Sequence, residues 1–457
     1  MITNIIFQEK KLNLIIENEI ENIDDNIFTV ITGKNGVGKS RLLSAISFHF
    51  IPEQTVKRAM SYLREPIDRN YCTLEFDNLP HKVITVSTSP FDKFPLPRRR
   101  EMISNYSYLG LRGLSSIDLG AEYISKITFK LISAVMQNEL DMARIANVLN
   151  YLGYYDQIEI LVTARYSTSK VEEILKSGNS YQAFENRFLG GGVPATPLTR
   201  SVFITENGHI NKQAVEYALD AMMSTANNRT GTFGKIIIDK NGASLISDTS
   251  HLDEKFMFLL ESGLLSIRNI QLHKKNSKQK FSIKNASSGE QCILMSFLGI
   301  ASQIADNCVI CIDEPEVCLH PEWQERYISM LIDTFKDYKK CHFIIATHSP
   351  QITSKLNSDN CFVVGLQDQK IHNASSVNNR SIDFQLAMVF KSPGYKNEYL
   401  TRELINFLSE LTTENIIPDE KFKEIKRILT LKPFLDESDP VKKLLILAEK
   451  SIRELNK

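Results

Sequence analysis

The sequence predicts an α/β fold in which one sheet is assembled from both halves of the chain. A short apolar strand near the N-terminus runs into a Gly-rich turn and a helix, at residues 27–50. Far along the chain, CVICID and HFIIATH are continuous apolar runs, as central parallel strands covered on both faces should be. From about residue 100 to 265 the apolar residues recur at helical spacing instead. We therefore expect a mixed sheet flanked by helices, interrupted by a large and mainly helical insertion, and followed by a helical C-terminal tail.

Local patterns place the elements in order. The N-terminal strands are expected in NIIFQ, KLNLIIE, NIFTVIT, CTLEF and KVITVST. The insertion has helical spacing in YISKITFKLISAVMQN, ARIANVLNYLGY, INKQAVEYALDAMM and EKFMFLLESGLL. Strand character returns in RNIQLHKK and KFSIKN, and the last helix is expected to start at Asp439–Pro440. The predicted parts are an N-terminal lobe (1–99), the insertion (100–265), a C-terminal lobe (266–375) and a helical C-terminal region (376–457).

The composition excludes several classes of protein. Among 457 residues, 54 Lys and Arg balance 54 Asp and Glu, so a polybasic nucleic-acid binder is excluded for the whole chain, though a local basic groove is not. The seven cysteines show no disulfide framework, and Cys308 and Cys311 should point to opposite faces of a strand. Neither a membrane-spanning run nor a signal peptide is visible, which favours a cytoplasmic protein without membrane contact.

The Gly-rich turn is a phosphate loop by pattern and by position. GKNGVGKS fits G-x-x-x-x-G-K-[ST] and lies between a strand and a helix, as the mechanism of this motif requires. Backbone N–H groups of such a loop surround phosphates, the lysine reaches the β- and γ-phosphates, and the serine hydroxyl binds Mg²⁺. The nucleotide-binding residues predicted here are Gly33, Lys34, Asn35, Gly36, Val37, Gly38, Lys39, Ser40 and Arg41.

Three further groups follow in the C-terminal half. CVICIDE ends in two carboxylates, so Asp313 can hold Mg²⁺ through water and Glu314 can activate the attacking water. HFIIATH places His348 at the same sheet edge, where it can hydrogen-bond the γ-phosphate. Taken alone, Asp313 and Glu314 also fit an acidic pair on the surface, and His348 also fits an ordinary loop residue. A second anion-binding helix start is predicted at Ser287, Ser288, Gly289 and Glu290, which alone would be an ordinary N-cap.

The order GKNGVGKS, SSGEQ, CVICIDEPE, ATHSP resembles the ABC-type ATPases. The run DEPEVCLHPEWQ, the THSP ending and the long separation of the first two motifs are similar to the branch with SMC, RecF and OLD-like proteins. GKSRLL with VSTSPFDKFP resembles the ATPase subunits of prokaryotic anti-phage systems, Septu-type above all, with retron-associated and PARIS-type ATPases as relatives. The resemblance implies a P-loop NTPase with an ABC ATPase head, whose two lobes are residues 1–99 and 266–375.

The resemblance also implies residue roles. Lys39, Glu314 and His348 would be catalytic, Ser40 and Asp313 would hold Mg²⁺, and the turn at Ser287–Glu290 would close over ATP bound to a second subunit. Head-to-tail packing then gives a homodimer, or a higher oligomer, clamped by ATP. The glutamine that usually contacts Mg²⁺ in this family is missing, because no Gln occurs between Gln54 and Gln137. Ser89 and Asp92 of STSPFD are the two candidates to take its place.

Partners are harder to read from the sequence. Arg98–Arg100 and Lys274, Lys275, Lys278 and Lys280 fit either a nucleic-acid backbone site or solvated surface charge. The apolar face of VKKLLILAEKSIREL fits a docking surface or packing within its own domain. After His348 there is no D-x-D pair and no Cys/His cluster, so any nuclease should be a separate chain.

The leading hypothesis is an ATP-hydrolysing subunit of an anti-phage defence complex. It would scaffold and regulate a nuclease, of HNH type by the Septu likeness and Toprim type as the second choice. Phage or cellular nucleic acid is a further candidate partner. A RecF/SMC-like DNA-repair ATPase that binds DNA directly is the alternative. A ribonuclease acting alone stays open, whereas a transporter subunit is disfavoured by the large insertion and the missing glutamine.

Overall fold

The computed structural model describes twelve ranges of the chain. These are residues 1–51, 72–96, 103–112, 119–137, 142–190, 197–205, 207–225, 231–247, 251–276, 280–356, 360–413 and 418–455. The basic run at 98–100 and Lys278 lie outside them.

The described part of the chain contains both strands and helices, as predicted. The strands are β1 (Ile2–Phe7), β2 (Lys10–Asn13), β3 (Ile27–Thr32), β4 (Cys72–Phe76), β5 (Val83–Ser87), β6 (Tyr106–Gly110), β7 (Tyr154–Ala164), β8 (Gly231–Asp239), β9 (Gly242–Ile246), β10 (Leu265–Lys274), β11 (Lys280–Ser282), β12 (Val309–Asp313), β13 (His342–Thr347), β14 (Cys361–Gly365) and β15 (Lys370–Asn373). The helices are α1 (Lys39–His49), α2 (Leu119–Met136), α3 (Met142–Tyr151), α4 (Thr168–Lys176), α5 (Ser180–Glu185), α6 (Pro197–Phe203), α7 (Lys212–Ser224), α8 (Glu254–Glu261), α9 (Ser288–Ala301), α10 (Pro321–Phe335), α11 (Pro350–Ser354), α12 (Ile382–Phe384), α13 (Glu398–Thr413), α14 (Asp419–Leu429) and α15 (Pro440–Leu455).

The central sheet joins strands from both halves of the chain. Its order is β15-β14-β3-β13-β12-β5-β6, parallel throughout except for β15, which pairs antiparallel with β14. Strands β3, β12 and β13 are buried along their whole length, as continuous apolar runs predict. Because parallel strands end at one edge, the segments that follow β3, β12 and β13 meet there. This strand order and the loop after β3 are those of a P-loop NTPase.

The sheet is covered on both faces. Ile310 and Ile312 belong to the core shared with the helices of the second quarter of the chain, whereas Val309 lies in the core beneath α1. Cys308 and Cys311 divide between the same two cores, so the prediction that they point apart is confirmed. The small antiparallel sheet β2-β1-β4 contributes to the core beneath α1.

The segment predicted as an insertion contains helices and part of a second sheet. The helices expected from its four amphipathic patterns are present as α2, α3, α7 and α8. The structure adds β7, β8 and β9, which join β10 and β11 in the antiparallel order β11-β10-β7-β8-β9. These strands escaped sequence analysis because polar residues such as Asp156, Gln157 and Glu159 interrupt the apolar alternation of β7. Strand β6, also within residues 100–265, belongs to the central sheet.

Glu159 organises the outer face of this second sheet. Its side chain is only 6% exposed, and two lysines and one histidine from other strands of the sheet surround it. Lys280 Nζ lies 2.8 Å from both carboxylate oxygens, Lys235 Nζ 3.0 Å from one and His273 Nε2 3.5 Å from the other. Burial alone would raise the pKa of Glu159, but hydrogen bonds from Lys280, Lys235 and His273 outweigh it and hold the pKa at about 2.

Replacing Glu159 with glutamine is expected to destabilise the fold by about 2–3 kcal/mol near neutral pH, because Lys235 and Lys280 lose their shared anionic partner. The folded-state pKa lies below the ordinary value. This stabilisation is therefore present above the pKa of the unfolded chain and is lost as the pH falls toward about 2. Urea unfolding from pH 8 to 4 measures it, and the difference from wild type should shrink below about pH 4.5. Glu173→Gln, an exposed residue paired with Lys170, is the control; equal stability of the two variants would contradict the prediction.

The C-terminal helical bundle (Glu398–Leu455) has its own core. Leu400, Leu404 and Phe407 of α13 pack there against Ile428 and Leu445. Packing within the domain also explains most of the apolar face predicted on α15, and that helix begins at Pro440 as expected. No helix in the described ranges combines the length and the apolar character needed to cross a bilayer.

Candidate nucleotide-binding site

The phosphate loop connects β3 to α1. Glycine suits the backbone at Gly36, with φ +80°, and at Gly38, with φ +102°, because side chains disfavour this region. Asn35 and Gly36 are exposed at the tip of the loop, and Arg41 is exposed in the first turn of α1. The loop therefore presents backbone N–H groups and a helix N-terminus to solvent, the arrangement that binds phosphate.

Lys39 is folded back into this loop. Its side chain is buried, and Nζ donates to the carbonyl oxygens of Gly33 at 2.8 Å and Lys34 at 3.2 Å. Burial lowers the pKa of Lys39, while the carboxylates of Glu314, Glu316 and Asp313 oppose the shift. The ammonium group thus lies inside the loop, where arriving phosphate oxygens can replace the two carbonyls.

Ser40 and Asp313 meet at the floor of the site. Ser40 Oγ donates a hydrogen bond of 3.0 Å to Asp313 Oδ1. Strand β12 places Asp313 between Ser87 of β5 and Ala346 of β13, and only 2% of the residue is exposed. Burial raises the pKa of Asp313 to about 7, although Ser40 opposes the shift. A buried carboxylate beside a serine hydroxyl is a site that a divalent cation would stabilise.

Glu314 and His348 lie next to one another at the same edge. Glu314 has φ +49°, a strained conformation for a residue other than glycine, and its backbone N–H donates to Ala346 O at 2.9 Å. The Glu314 carboxylate lies 3.5 Å from Nδ1 of His348. That nitrogen is buried and makes no hydrogen bond within the described residues. Both side chains are about 30% exposed, at 28% and 32%, so they line the site without being sealed off.

Glu316 is a functional residue that sequence analysis missed. Its buried Oε1 accepts hydrogen bonds from Thr347 Oγ1 at 2.8 Å and from the backbone N–H of His348 at 2.7 Å. His348 Nε2 lies 3.7 Å from the same oxygen. Glu316 therefore fixes the end of β13 and the orientation of the histidine. The sequence signal that could have identified Glu316 is its place as the second glutamate of the run DEPE, close to the end of a predicted strand.

The Ser-Gly turn (residues 286–291) lies apart from this cluster. Ser287 caps α9, accepting from Glu290 N at 3.3 Å and donating its own N–H to Glu290 Oε2 at 3.1 Å. Glu290 also binds Lys274 Nζ at 2.9 Å, so its carboxylate is committed to contacts within the protein. A Cβ on Gly289 would lie 3.1 Å from the carbonyl oxygen of Cys318, which explains why glycine is needed there.

This turn is open to an external ligand. Ser287 and Ser288 are exposed. Within the described ranges, no hydrogen bond or ion pair connects the turn to residues 33–40 of the same chain. The structure therefore brings together the predicted residues of the phosphate loop, Asp313, Glu314 and His348, but not the Ser-Gly turn.

The carboxylate of Asp92, a candidate metal ligand by sequence, contacts other residues of the protein. Its carboxylate accepts from Tyr108 OH at 2.6 Å and from Phe94 N at 3.0 Å, and Arg112 Nη2 lies 3.6 Å away. Burial raises the pKa of Asp92, and Arg112 and Tyr108 oppose that shift. Both oxygens are occupied, which argues against Asp92 as the substitute for the missing glutamine. Ser89 Oγ accepts only the N–H of Phe91, at 3.2 Å, among the described residues.

The residues present fit Mg²⁺ and a nucleoside triphosphate. Ser40 and Asp313 offer the oxygen ligands that Mg²⁺ prefers, and the buried carboxylate of Asp313 forms no ion pair within the part of the chain that the structure describes. The loop N–H groups and Lys39 suit the phosphates, and the bare Nδ1 of His348 lies beside Glu314. These groups have the chemistry that binding of phosphate, binding of a metal ion and activation of water require, and they lie at one edge of the sheet.

Two ATPases of retrons are similar in sequence to parts of this chain. A probable ATPase of retron Vc95 from Vibrio cholerae serotype O1 biovar El Tor is 24% identical over 396 residues, 77% of this chain and 71% of that protein. A probable ATPase of retron Ec83 from Escherichia coli is 28% identical over 136 residues, 26% of this chain and 24% of that protein. The structure of an SMC head bound to the C-terminal winged-helix domain of ScpA aligns with 81% of this chain and 95% of that one, at 11% identity. The TM-score of this alignment is 0.28.

A protein-family model matches residues 121–354. The match takes in the Ser-Gly turn, Asp313, Glu314 and His348, and it begins after the phosphate loop. Its description is "AAA domain, putative AbiEii toxin, Type IV TA system". Because the match spans just over half of the chain, and the phosphate loop completes the site that it contains, this protein belongs to that family of P-loop ATPases.

Proposed function

We propose that the protein binds Mg²⁺-ATP and hydrolyses it. Lys39 holds the β- and γ-phosphates, with the backbone of residues 33–40 around them, and Ser40 and Asp313 hold Mg²⁺. When bound, Mg²⁺ neutralises charge on the phosphate oxygens. Glu314 orients the attacking water and accepts its proton, and His348 donates to the γ-phosphate. The observation that carries this assignment is the meeting of Ser40 with Asp313, and of Glu314 with His348, at the edge where β3 ends.

We further propose that two copies pack head to tail. The exposed Ser287 and Ser288, followed by the buried Gly289, lie at the N-terminus of α9, where backbone N–H groups favour an anion. Since this turn does not reach its own phosphate loop, it is proposed to close over the ATP of a second subunit. Two-fold symmetry then gives two shared sites, and ATP stabilises the closed dimer.

The biological setting proposed is anti-phage defence. The Vibrio and Escherichia relatives are named as ATPases of retrons, and the Septu likeness of the sequence motifs points the same way. The ATPase is proposed to scaffold and regulate a separate nuclease, of HNH type first and Toprim type second. The C-terminal helical bundle, where Leu447 remains 51% exposed, is the proposed docking surface.

Co-purification tests the assembly. The protein tagged in its native operon should retain a nuclease at a fixed stoichiometry, and wild type should release phosphate from ATP while Lys39→Ala does not. Recovery of the protein without a nuclease, across buffers with and without Mg²⁺-ATP, would count against the scaffold role. Phosphate release unaffected by Lys39→Ala would count against the site.

Direct binding of nucleic acid is the second candidate. Arg268, Lys280 and Lys284, with four amide or hydroxyl side chains, line an open depression on the second sheet beside the Ser-Gly turn. Such a set suits phosphodiester contacts. The lysines singled out in the sequence are largely engaged internally: Lys274 with Glu290, Lys275 with Asn150 O and Lys280 with Glu159. Salt-dependent binding of DNA by the isolated protein, lost in Arg268→Glu, would favour this candidate.

A further inference from the structure

The phosphate loop touches the C-terminal helical bundle through one aromatic contact. Lys34, the second residue of the loop, places Nζ 4.8 Å from the ring centre of Phe434. No carboxylate in the described ranges lies within ion-pair distance of that ammonium group. The distance is within the range at which an aromatic face attracts a cation.

Phe434 is positioned for this contact by its own domain. It follows α14 in a short turn at Lys432–Phe434, and the neighbouring Leu431 and Leu435 are buried in the core of the bundle. Phe434 itself is 46% exposed and turned away from that core. Its backbone N–H donates to Leu431 O at 2.9 Å, which fixes the turn. The ring of Phe434 is thus not part of the described core of its own domain, and it contacts Lys34 of the phosphate loop instead.

Lys34 also connects the contact to the catalytic lysine. The carbonyl oxygen of Lys34 accepts the 3.2 Å hydrogen bond from Lys39 Nζ. When Lys39 turns to phosphate oxygens, that hydrogen bond is exchanged and the restraint on Lys34 changes. The state of the nucleotide site therefore bears on the residue that holds the bundle.

The segment after β14 contacts the other flank of the phosphate loop. Leu366 N donates to Thr32 O at 3.0 Å, directly before the loop, and a Cβ on Gly33 would lie 3.8 Å from Leu366. Two residues further on, Asp368 lies 4.0 Å from Lys391 Nζ, which belongs to the segment leading into α13. The segment after β14 thus connects the start of the phosphate loop with Lys391, which precedes the C-terminal helical bundle.

We propose that Phe434 is a positioning residue for the phosphate loop. Its ring keeps the Lys34 side chain away from the space where the phosphates bind, and so stabilises the conformation of the loop that binds nucleotide. The same contact couples nucleotide binding to the C-terminal helical bundle. Because coupling is reciprocal, nucleotide binding stabilises the turn at Lys432–Phe434 to the same extent that the turn favours nucleotide. The inference rests on the proposed binding of ATP at this loop, and it gives the bundle a way to report the nucleotide state to whatever docks on it.

Titration of the full-length protein with a fluorescent ATP analogue and Mg²⁺ tests the contact. Phe434→Leu and Lys34→Met should each weaken affinity about two- to fivefold, the range for an exposed cation–aromatic pair. The double variant should be no weaker than the weaker single variant, whereas Phe434→Tyr should keep wild-type affinity. Tyr395→Leu is the matched control, because Tyr395 forms a similar pair with Lys396, at 5.5 Å, and is 60% exposed.

Hydrogen exchange supplies a readout that a purely structural role would not move. Nucleotide should slow exchange over residues 419–434 in wild type and in Phe434→Tyr, but not in Phe434→Leu. Wild-type affinity in Phe434→Leu, or additive losses in the double variant, would overturn the inference. If wild type and Lys39→Ala bind the analogue equally, it is the proposed nucleotide site that fails, and the two failures are thereby distinguished.

Discussion

Glu314→Gln is expected to lower the rate of ATP hydrolysis about 10²–10⁴-fold while leaving ATP binding intact. Glutamine has nearly the same shape and can occupy the strained backbone position with φ +49°, but its amide cannot accept a proton from water. The loop, Lys39 and the contact between Ser40 and Asp313 are unchanged by the substitution. Binding and turnover should therefore separate cleanly.

The same variant should accumulate as an ATP-bound dimer. If hydrolysis opens the closed pair, blocking it shifts the population toward the closed state. Phosphate release measured with a coupled assay gives the rate, and light scattering after size exclusion with Mg²⁺-ATP gives the mass. Glu322→Gln, an exposed position at the start of α10, is the control and should behave as wild type. Retention of more than one tenth of the wild-type rate in Glu314→Gln would exclude Glu314 as the general base.

The parts of this site that sequence analysis could predict are those set by local rules. A strand, a Gly-rich turn and a helix specify the phosphate loop within about 20 residues, and an apolar strand that ends in Asp313 and Glu314 is equally local. The step from these pieces to one site needs only the fact that parallel strands end at a common edge, which the register of β3, β13 and β12 confirms.

The parts that escaped prediction depend on long-range pairing. From the sequence, the ammonium group of Lys280 could be either solvated or paired with a carboxylate. The pairing of β7, β8, β10 and β11 shows that it forms an ion pair with Glu159. From the sequence, Asp92 is a candidate metal ligand, but in the structure its carboxylate is already in contact with Tyr108 and Arg112. The contact of Phe434 with Lys34 joins residues 400 positions apart, and no local pattern encodes it. Sequence periodicity states which face of an element is apolar, not which distant side chain will meet it.

Mixing two inactive variants is expected to restore ATP hydrolysis. Lys39→Ala removes the ammonium group that holds phosphate, and Ser288→Arg places a bulky cation on the exposed start of α9. Each alone should fall at least about 100-fold, as expected when a transition-state contact is lost. In a head-to-tail pair of one copy of each, one shared site contains both defects and the other contains neither. Random pairing then gives about a quarter of the wild-type rate.

A second mixture separates sharing between subunits from any other rescue. Lys39 and Glu314 lie at one sheet edge of the same chain, and we therefore propose that both act on the nucleotide bound to that chain. Lys39→Ala mixed with Glu314→Gln leaves both sites defective, so no activity should return, although the same mixed dimers form. Two different tags allow the mixed dimers to be isolated and counted in both experiments. Mixed dimers of Lys39→Ala and Ser288→Arg that stay inactive would show that the Ser-Gly turn does not complete the partner's site, because each copy still supplies one undamaged half.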